Sequence, residues 1–198
     1  AEFGQVCAWQ EALRERRREG QIPDILLLVE HPATYTCGRA TPPEHLLSEE
    51  LDVVPIDRGG SVTFHGPGQL VAYPIFKWDL EDEANVKRIP AKLEQWAISS
   101  LAILGILAGT DERMQGVWVE GAKVGSVGLA FKRWVSRHGF TVNYATPKGR
   151  VETLDGCGLV AGTTTSLDRL GYEISADEIT DALLVSMQES LSRVNAKS

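Results

Sequence analysis

Cysteine is scarce in this chain: Cys7, Cys37 and Cys157 are the only three among 198 residues. So odd and sparse a set builds no disulfide framework, and no pair of cysteines or histidines has the spacing of zinc ligands. A reducing setting follows, with at least one thiol free for chemistry. No apolar run approaches the ~18 residues that a membrane span needs, and no charged-then-apolar leader pattern is present. A cytoplasmic location without membrane attachment is therefore expected. Positive charge is also in deficit, since 20 Lys and Arg face 27 Asp and Glu for a net −7. Nucleic acid is then a poor default partner, because binding it needs a clustered positive field. The one dense basic run, Arg14, Arg16, Arg17 and Arg18, reads either as a solvated helix end or as a patch for an acidic carrier protein. Repeats and low-complexity linkers are missing, and the length suits a single domain over residues 1–198, or one domain with small appendages.

What is present is an ordinary globular pattern. Val6, Trp9 and Leu13 stand at helical spacing within residues 4–19, and Gly20 stops them. Ile25-Leu26-Leu27-Leu28-Val29 reads as a buried strand, and Thr34-Tyr35-Thr36-Cys37 as a second. Ser61-Val62-Thr63-Phe64 and Gln69-Leu70-Val71-Ala72-Tyr73 form a hairpin-like unit around Pro67-Gly68, a type II turn pair. Ile89, Leu93, Trp96, Ala97, Leu101 and Leu104 mark a long helix with Pro90 in its first turn. Val117-Trp118-Val119 and the run from Lys123 to Leu129 read as strands joined by a turn, and Phe140-Thr141-Val142-Asn143 as another. Ser175 and Glu178 make a capping box for a last helix that buries Ile179, Leu183, Met187, Leu191 and Val194. Tight turns and the lack of βαβ alternation point to an α/β (α+β) fold with one mixed, mostly antiparallel sheet packed by helices.

Three glycine-rich segments hold reactive or polar side chains: residues 58–68, 123–128 and 156–158. Glycines admit a ligand close to the backbone, and their N–H groups can serve an oxyanion. Cys157 lies between Gly156 and Gly158, whereas Cys37 ends a strand and Cys7 sits on the apolar side of a helix. A thiol is only slightly ionised at neutral pH and needs a basic neighbour to act as a nucleophile. Lys123 is one candidate; His31, His65 and His138 are others, and a Cys–His pair is the commoner solution. The residue pattern leaves that choice open.

Arg58-Gly59-Gly60-Ser61-Val62-Thr63-Phe64-His65-Gly66-Pro67-Gly68-Gln69-Leu70-Val71-Ala72-Tyr73-Pro74-Ile75 closely resembles the lipoyl(octanoyl) transferase family. The likeness runs over nearly the whole chain, through Gly121-Ala122-Lys123-Val124-Gly125-Ser126-Val127-Gly128, then His138-Gly139, then Cys157-Gly158. It implies the fold of biotin and lipoate protein ligase catalytic domains. It also implies that Cys157 forms an acyl-thioester while Lys123 lowers its pKa and moves protons. Substrate contacts are implied at Arg58, Gly59, Gly60, Ser61, Val62, Thr63, Phe64 and His65, at Ser126, Val127 and Gly128, and at Gly139, Phe140 and Thr141. The chain departs from the family at Gly156, where a proline is usual, at Phe140-Thr141, where a Leu-Ala pair is usual, and over residues 144–152.

The implied activity is octanoyl transfer from octanoyl-acyl carrier protein to a lysine of lipoyl domains. Those acceptors are the lipoyl domains of 2-oxoacid dehydrogenase complexes and the glycine cleavage H protein. No cofactor or metal is expected, and a monomer is. Val124, Val127 and Leu129 are candidates to line the acyl slot. Arg58 either meets a carrier phosphate or pins its loop to Asp57 or another carboxylate. His65 and His138 either orient the thioester or serve as turn histidines. The rivals are an ATP-dependent lipoate or biotin ligase on the same fold, and a non-catalytic protein that binds lipoyl domains or acyl carriers.

Overall fold

The structure is a computed structural model that describes residues 1–39, 41, 53–80, 83–152 and 162–193. Its helices are α1 (Phe3–Arg18), α2 (Ile89–Ile103) and α3 (Ala176–Leu191). Its strands are β1 (Ile25–Val29), β2 (Thr34–Cys37), β3 (Val53–Pro55), β4 (Val62–His65) and β5 (Gln69–Ile75), then β6 (Ala108–Asp111), β7 (Met114–Val119), β8 (Ala122–Gly125), β9 (Val127–Lys132) and β10 (Val135–Asn143). A short 3-10 helix covers Leu167–Leu170. No described helix is long and apolar enough to cross a membrane.

The strands form three sheets rather than the one expected: β1-β5-β10-β9, β3-β2-β4 and β6-β7-β8. Pairing is antiparallel except between β2 and β3. β5 is buried along its whole length between β1 and β10, and its alternate residues feed two cores. Leu70 and Ala72 face the large core with Trp96, Phe140, Leu93 and Leu183, under α2 and α3. Val71 and Tyr73 meet Val6 of α1 on the other side. Burying one such large apolar side chain stabilises by about 1.5–3 kcal/mol. β1, expected to be fully buried, is only half-buried because it forms the edge of its sheet.

Two expected elements change shape. The run from Lys123 to Leu129 is not one strand: β8 pairs with β7, while β9 pairs with β10 in another sheet. The break falls at Ser126, whose N–H donates to Thr141 Oγ1 and whose carbonyl accepts from Thr141 N–H. The buried face of α1 is Phe3, Val6, Gln10 and Arg14, and Trp9 is turned out to solvent. Gln10 is drawn inward because its Oε1 accepts from the backbone N–H of His138.

Local chemistry explains the rest. Ser175 and Glu178 close the expected capping box on α3, while Val194 lies outside the described residues. At the hairpin, Gln69 N–H donates to Gly66 O at 3.2 Å, and Gly68 takes φ +79°. A Cβ on Gly68 would lie 2.0 Å from the carbonyl oxygen of Ala145. Gly68→Ala is therefore expected to destabilise by more than about 1 kcal/mol, through both strain and clash. Gly4→Ala, in α1 with nothing within 4 Å of its Cβ position, is expected to be neutral or to stabilise by up to about 1 kcal/mol. Urea denaturation of both variants checks the pair, and equal midpoints would refute it.

Candidate active site

Where the β4–β5 hairpin, β8, β9 and β10 converge, they enclose a cavity of about 440 Å³, within the range of small-molecule sites. Each residue from 58 to 65 lines it: Arg58, Gly59, Gly60, Ser61, Val62, Thr63, Phe64 and His65. So do Ser126, Val127 and Gly128 at the start of β9, Gly139, Phe140 and Thr141 on β10, and Lys123 on β8. Thus two of the three glycine-rich segments meet here. The third, with Cys157, lies outside the described residues. Of the three expected slot residues, Val127 and Leu129 line the cavity, whereas Val124 is fully buried in the large core.

Lys123 is almost completely buried. Its Nζ lies 2.9 Å from Met114 Sδ, and its charge also reaches the buried Glu94. Desolvation pushes the Glu94 carboxyl up, and a backbone N–H at Gly116 and Lys123 oppose that rise. Gly116 is what gives the lysine room, for a Cβ there would stand 2.5 Å from Lys123 Cε. The Lys123 backbone is clamped by the chain that re-enters at Gly162: its N–H donates to Thr163 O at 2.8 Å, and its carbonyl accepts from Thr165 N–H at 2.9 Å. Gly162 N–H in turn donates to Glu152 O at 2.9 Å. Residues 152 and 162, which bracket the cysteine-bearing segment, therefore stand together beside Lys123.

A buried polar relay reaches the opposite wall. Asn143 Nδ2 donates to Thr165 O at 3.0 Å, so Asn143 Oδ1 accepts from Gln69 Nε2 at 2.8 Å. Gln69 Nε2 also donates to Phe64 O, which leaves Gln69 Oε1 as the acceptor for His65 Nδ1 at 2.8 Å. Each step rests on a carbonyl that can only accept. The network therefore puts the His65 proton on Nδ1 and leaves Nε2 as a lone pair without a protein partner among the described residues. Burial pushes the His65 pKa down to about 3, against the pull of Gln69. The ring is neutral near pH 7.

His138 is a second neutral imidazole in the lining. Its Nε2 meets Asp57 Oδ1 at 2.8 Å, and Asp57 also holds Arg137. Although burial opposes ionisation of Asp57, His138 and Arg137 bring its pKa down to about 2. An ionised carboxylate can only accept, so His138 donates from Nε2 and keeps Nδ1 as a lone pair. Burial outweighs the pull of Asp57 and lowers the His138 pKa to about 4. Its backbone takes φ +62°, a strained conformation of the kind concentrated at functional sites.

Two expectations on single residues change. Of the partners expected for Arg58, Asp57 instead serves Arg137 and His138, and the buried Arg58 guanidinium donates to the carbonyl and hydroxyl of Thr36 and to Gly59 O. His31, a candidate base, has both ring nitrogens engaged, by Ala1 O and the Tyr73 hydroxyl, each at 2.8 Å. Gln69 and Asn143 escaped sequence reasoning. The one signal was Gln69, a lone amide at the head of an otherwise apolar strand; Asn143 ends a strand that already carries Ser136, Arg137, His138 and Thr141. Among the described residues, no cluster of His, Cys, Asp and Glu is disposed to hold a metal.

The model of the lipoyl protein ligase A/B catalytic domain matches residues 3–188. An octanoyltransferase of Rhodococcus jostii (strain RHA1) is 37% identical over 202 residues, covering 96% of this chain and 78% of its own. Among solved structures, the bi-partite lipoate protein ligase of Thermoplasma acidophilum superposes with a TM-score of 0.68 at 14% identity, over 96% of this chain and 82% of its own. The biotin acetyl coenzyme A carboxylase synthetase of Helicobacter pylori does so at 0.56 and 15%, over 92% and 69%. At such identities the two structures speak for the fold alone, and it is the expected one.

The two histidines make stability depend on pH. Their folded pKa values, about 3 and about 4, lie below the ~6.5 of an unfolded histidine. Between those limits the unfolded chain binds more protons, so stability is complete above about pH 6.5 and falls as pH drops towards 4. Asp57, lowered to about 2, loses its contribution only at more acidic pH. Guanidinium titrations from pH 7 to 4.5 should show this slope, and His65→Gln and His138→Gln should each flatten it. Slopes unchanged in both variants would refute the neutral assignment.

Proposed function

Because the chain belongs to the octanoyltransferases of the lipoyl protein ligase A/B catalytic-domain family, we propose that it moves an octanoyl group from an acyl carrier protein to a lysine of a lipoyl domain, with Cys157 as the acyl carrier and Lys123 as its proton partner. The observation that carries this reading is the clamp on Lys123. The chain on the far side of the cysteine-bearing segment is hydrogen-bonded to the lysine's own backbone, at the wall of an apolar cavity.

The chemistry proceeds in two transfers. The Cys157 thiolate attacks the donor thioester, the tetrahedral oxyanion collapses, and the carrier thiol leaves with a proton from Lys123. The neutral amine of the acceptor lysine then attacks the enzyme thioester and gives its proton to Lys123 as the Cys157 thiolate departs. Thioester exchange is near neutral in energy and amide formation is downhill, so the sequence needs no ATP. His65 and His138, both neutral, offer lone pairs rather than protons, which suits them to hold the N–H groups of the incoming amine. A neighbouring positive imidazolium would oppose that amine and favour its departure.

Val127, Leu129, Phe131 and Phe140 give the cavity its apolar wall. Burying seven methylene or methyl groups at ~0.8 kcal/mol each contributes about 5 kcal/mol to chain binding. A chain one carbon shorter or longer should be disfavoured by about 1–3 kcal/mol.

Intact-mass spectrometry after incubation with octanoyl-acyl carrier protein tests the reading. The wild-type chain should gain one octanoyl group, Cys157→Ser should gain none, and Lys123→Ala should acylate slower by orders of magnitude at neutral pH. Absence of the adduct, its survival in Cys157→Ser, or pyrophosphate release from octanoate, ATP and magnesium would overturn it.

A further inference from the structure

The chain carries a net −7, yet its cations are not spread evenly. The dense basic run on α1 is largely neutralised: Arg14 pairs with Glu11, Arg17 with Asp24, and Arg18 with Glu15 and Glu19. That run offers little free positive field for a partner. Arg16 alone of that run is exposed without an ion-pair partner among the described residues, and other unpaired cations lie elsewhere. Lys87 and Arg88 stand between Val86 and Pro90, both of which line the cavity, at the start of α2. Lys148 and Arg150 precede Val151, which lines it too. Arg150 places its guanidinium 6.0 Å over the ring of Phe64, another lining residue. All four cations are exposed, and none has an ion-pair partner among the described residues. The acid nearest the second pair in sequence, Glu152, is held by Arg169 at 2.9 Å.

Resting on the function proposed above, we propose that Lys87, Arg88, Lys148 and Arg150 form a cationic rim at the cavity mouth that docks the acidic acyl carrier protein and the phosphodiester of its acyl-bearing arm. Two arguments select the donor over the acceptor. The donor brings its chain into the cavity on a phosphate-bearing arm, and a phosphate at the mouth needs positive charge beside it. The acceptor instead presents a lysine, which four unpaired cations would repel. An overall acidic enzyme also repels an acidic carrier at long range, so a local patch must set the encounter. Because the rim is solvent-exposed, salt should screen it over ~8–10 Å.

Steady-state transfer by the full chain tests the rim. Two double charge reversals, Lys87→Glu with Arg88→Glu and Lys148→Glu with Arg150→Glu, are compared with the control Arg16→Glu. Each enzyme is assayed with octanoyl-acyl carrier protein and with octanoyl-pantetheine, which has the same thioester but neither phosphate nor protein. The rim variants should raise KM for the carrier at least tenfold, with kcat, octanoyl-pantetheine rates and the acceptor KM within twofold of wild type. Raised ionic strength should narrow the gap to wild type. A carrier KM unchanged in both double variants, or a rise in the acceptor KM instead, would overturn the rim while leaving the acyl-transfer reading standing. A wild-type chain that takes up no octanoyl from either donor would refute the acyl-transfer reading itself, and the rim with it.

Discussion

The hydrogen bond between Gln69 and Asn143 is the joint on which the cavity is built. It crosses from β5 to β10 between two side chains that are 1% and 3% exposed. Contacts on both walls of the site connect to it: His65 on one side, and Thr165 with the Lys123 backbone on the other. A fully satisfied buried network of this kind fixes one arrangement, because each orphaned group would cost about 1–3 kcal/mol. The relay thus does two jobs with one set of bonds. It selects the tautomer of His65, and it holds the chain that returns from the cysteine-bearing segment against β8.

A second joint sits on the far side of the same loop. Asp57 precedes Arg58 and binds His138 and Arg137 of β10 through one oxygen. Arg58 turns the other way, into the carbonyl and hydroxyl of Thr36 on β2. The glycine-rich loop is therefore pulled between two sheets, and its glycines are where the pull brings backbones together. A Cβ on Gly38 would stand 2.3 Å from Gly60 O, so β2 and the loop can close only without one. The strained φ of His138 is maintained by the bonds at both ends of the residue, from its backbone N–H to Gln10 and from its ring to Asp57.

Much of this was legible in the sequence where the controlling interaction is local. The capping box at Ser175, the Pro67-Gly68 turn and the apolar stripes of α2 and α3 each depend on residues a few positions apart. The split between β8 and β9 was not legible, because Lys123 to Leu129 reads as a continuous strand until Thr141 takes hold of Ser126 from another strand. The face of α1 was misread for the same reason: Trp9 looks like a core residue until Gln10 is claimed by His138. The neutralisation of the basic run was partly visible, since Glu11 and Glu15 stand three residues before Arg14 and Arg18. At the site, the glycine-rich motifs marked the lining well, and the resemblance named the residue types. The polar relay went unnoticed because an amide in a strand declares nothing until its partner, seventy-four positions away, is known.

The arrangement of charge gives these pieces a common logic. Lys123 and Arg58 are both cations of the cavity wall; Lys123 is buried where Gly116 leaves room for its stem, and Glu94 lies close enough to feel it. Both histidines are kept neutral by burial, one with an amide partner and one with a carboxylate. On the proposed acyl transfer, a positive imidazolium would add a further cation beside Lys123 and Arg58 and would disfavour the approach of an amine. Neutral imidazoles avoid that conflict while still supplying acceptors. The exposed cations stand instead at the mouth, where solvent screens them from Lys123 but not from a partner that docks directly on them. On the proposed acyl transfer, positive charge at the rim and neutral acceptors within would divide the work of recruiting an anionic donor from that of admitting an amine.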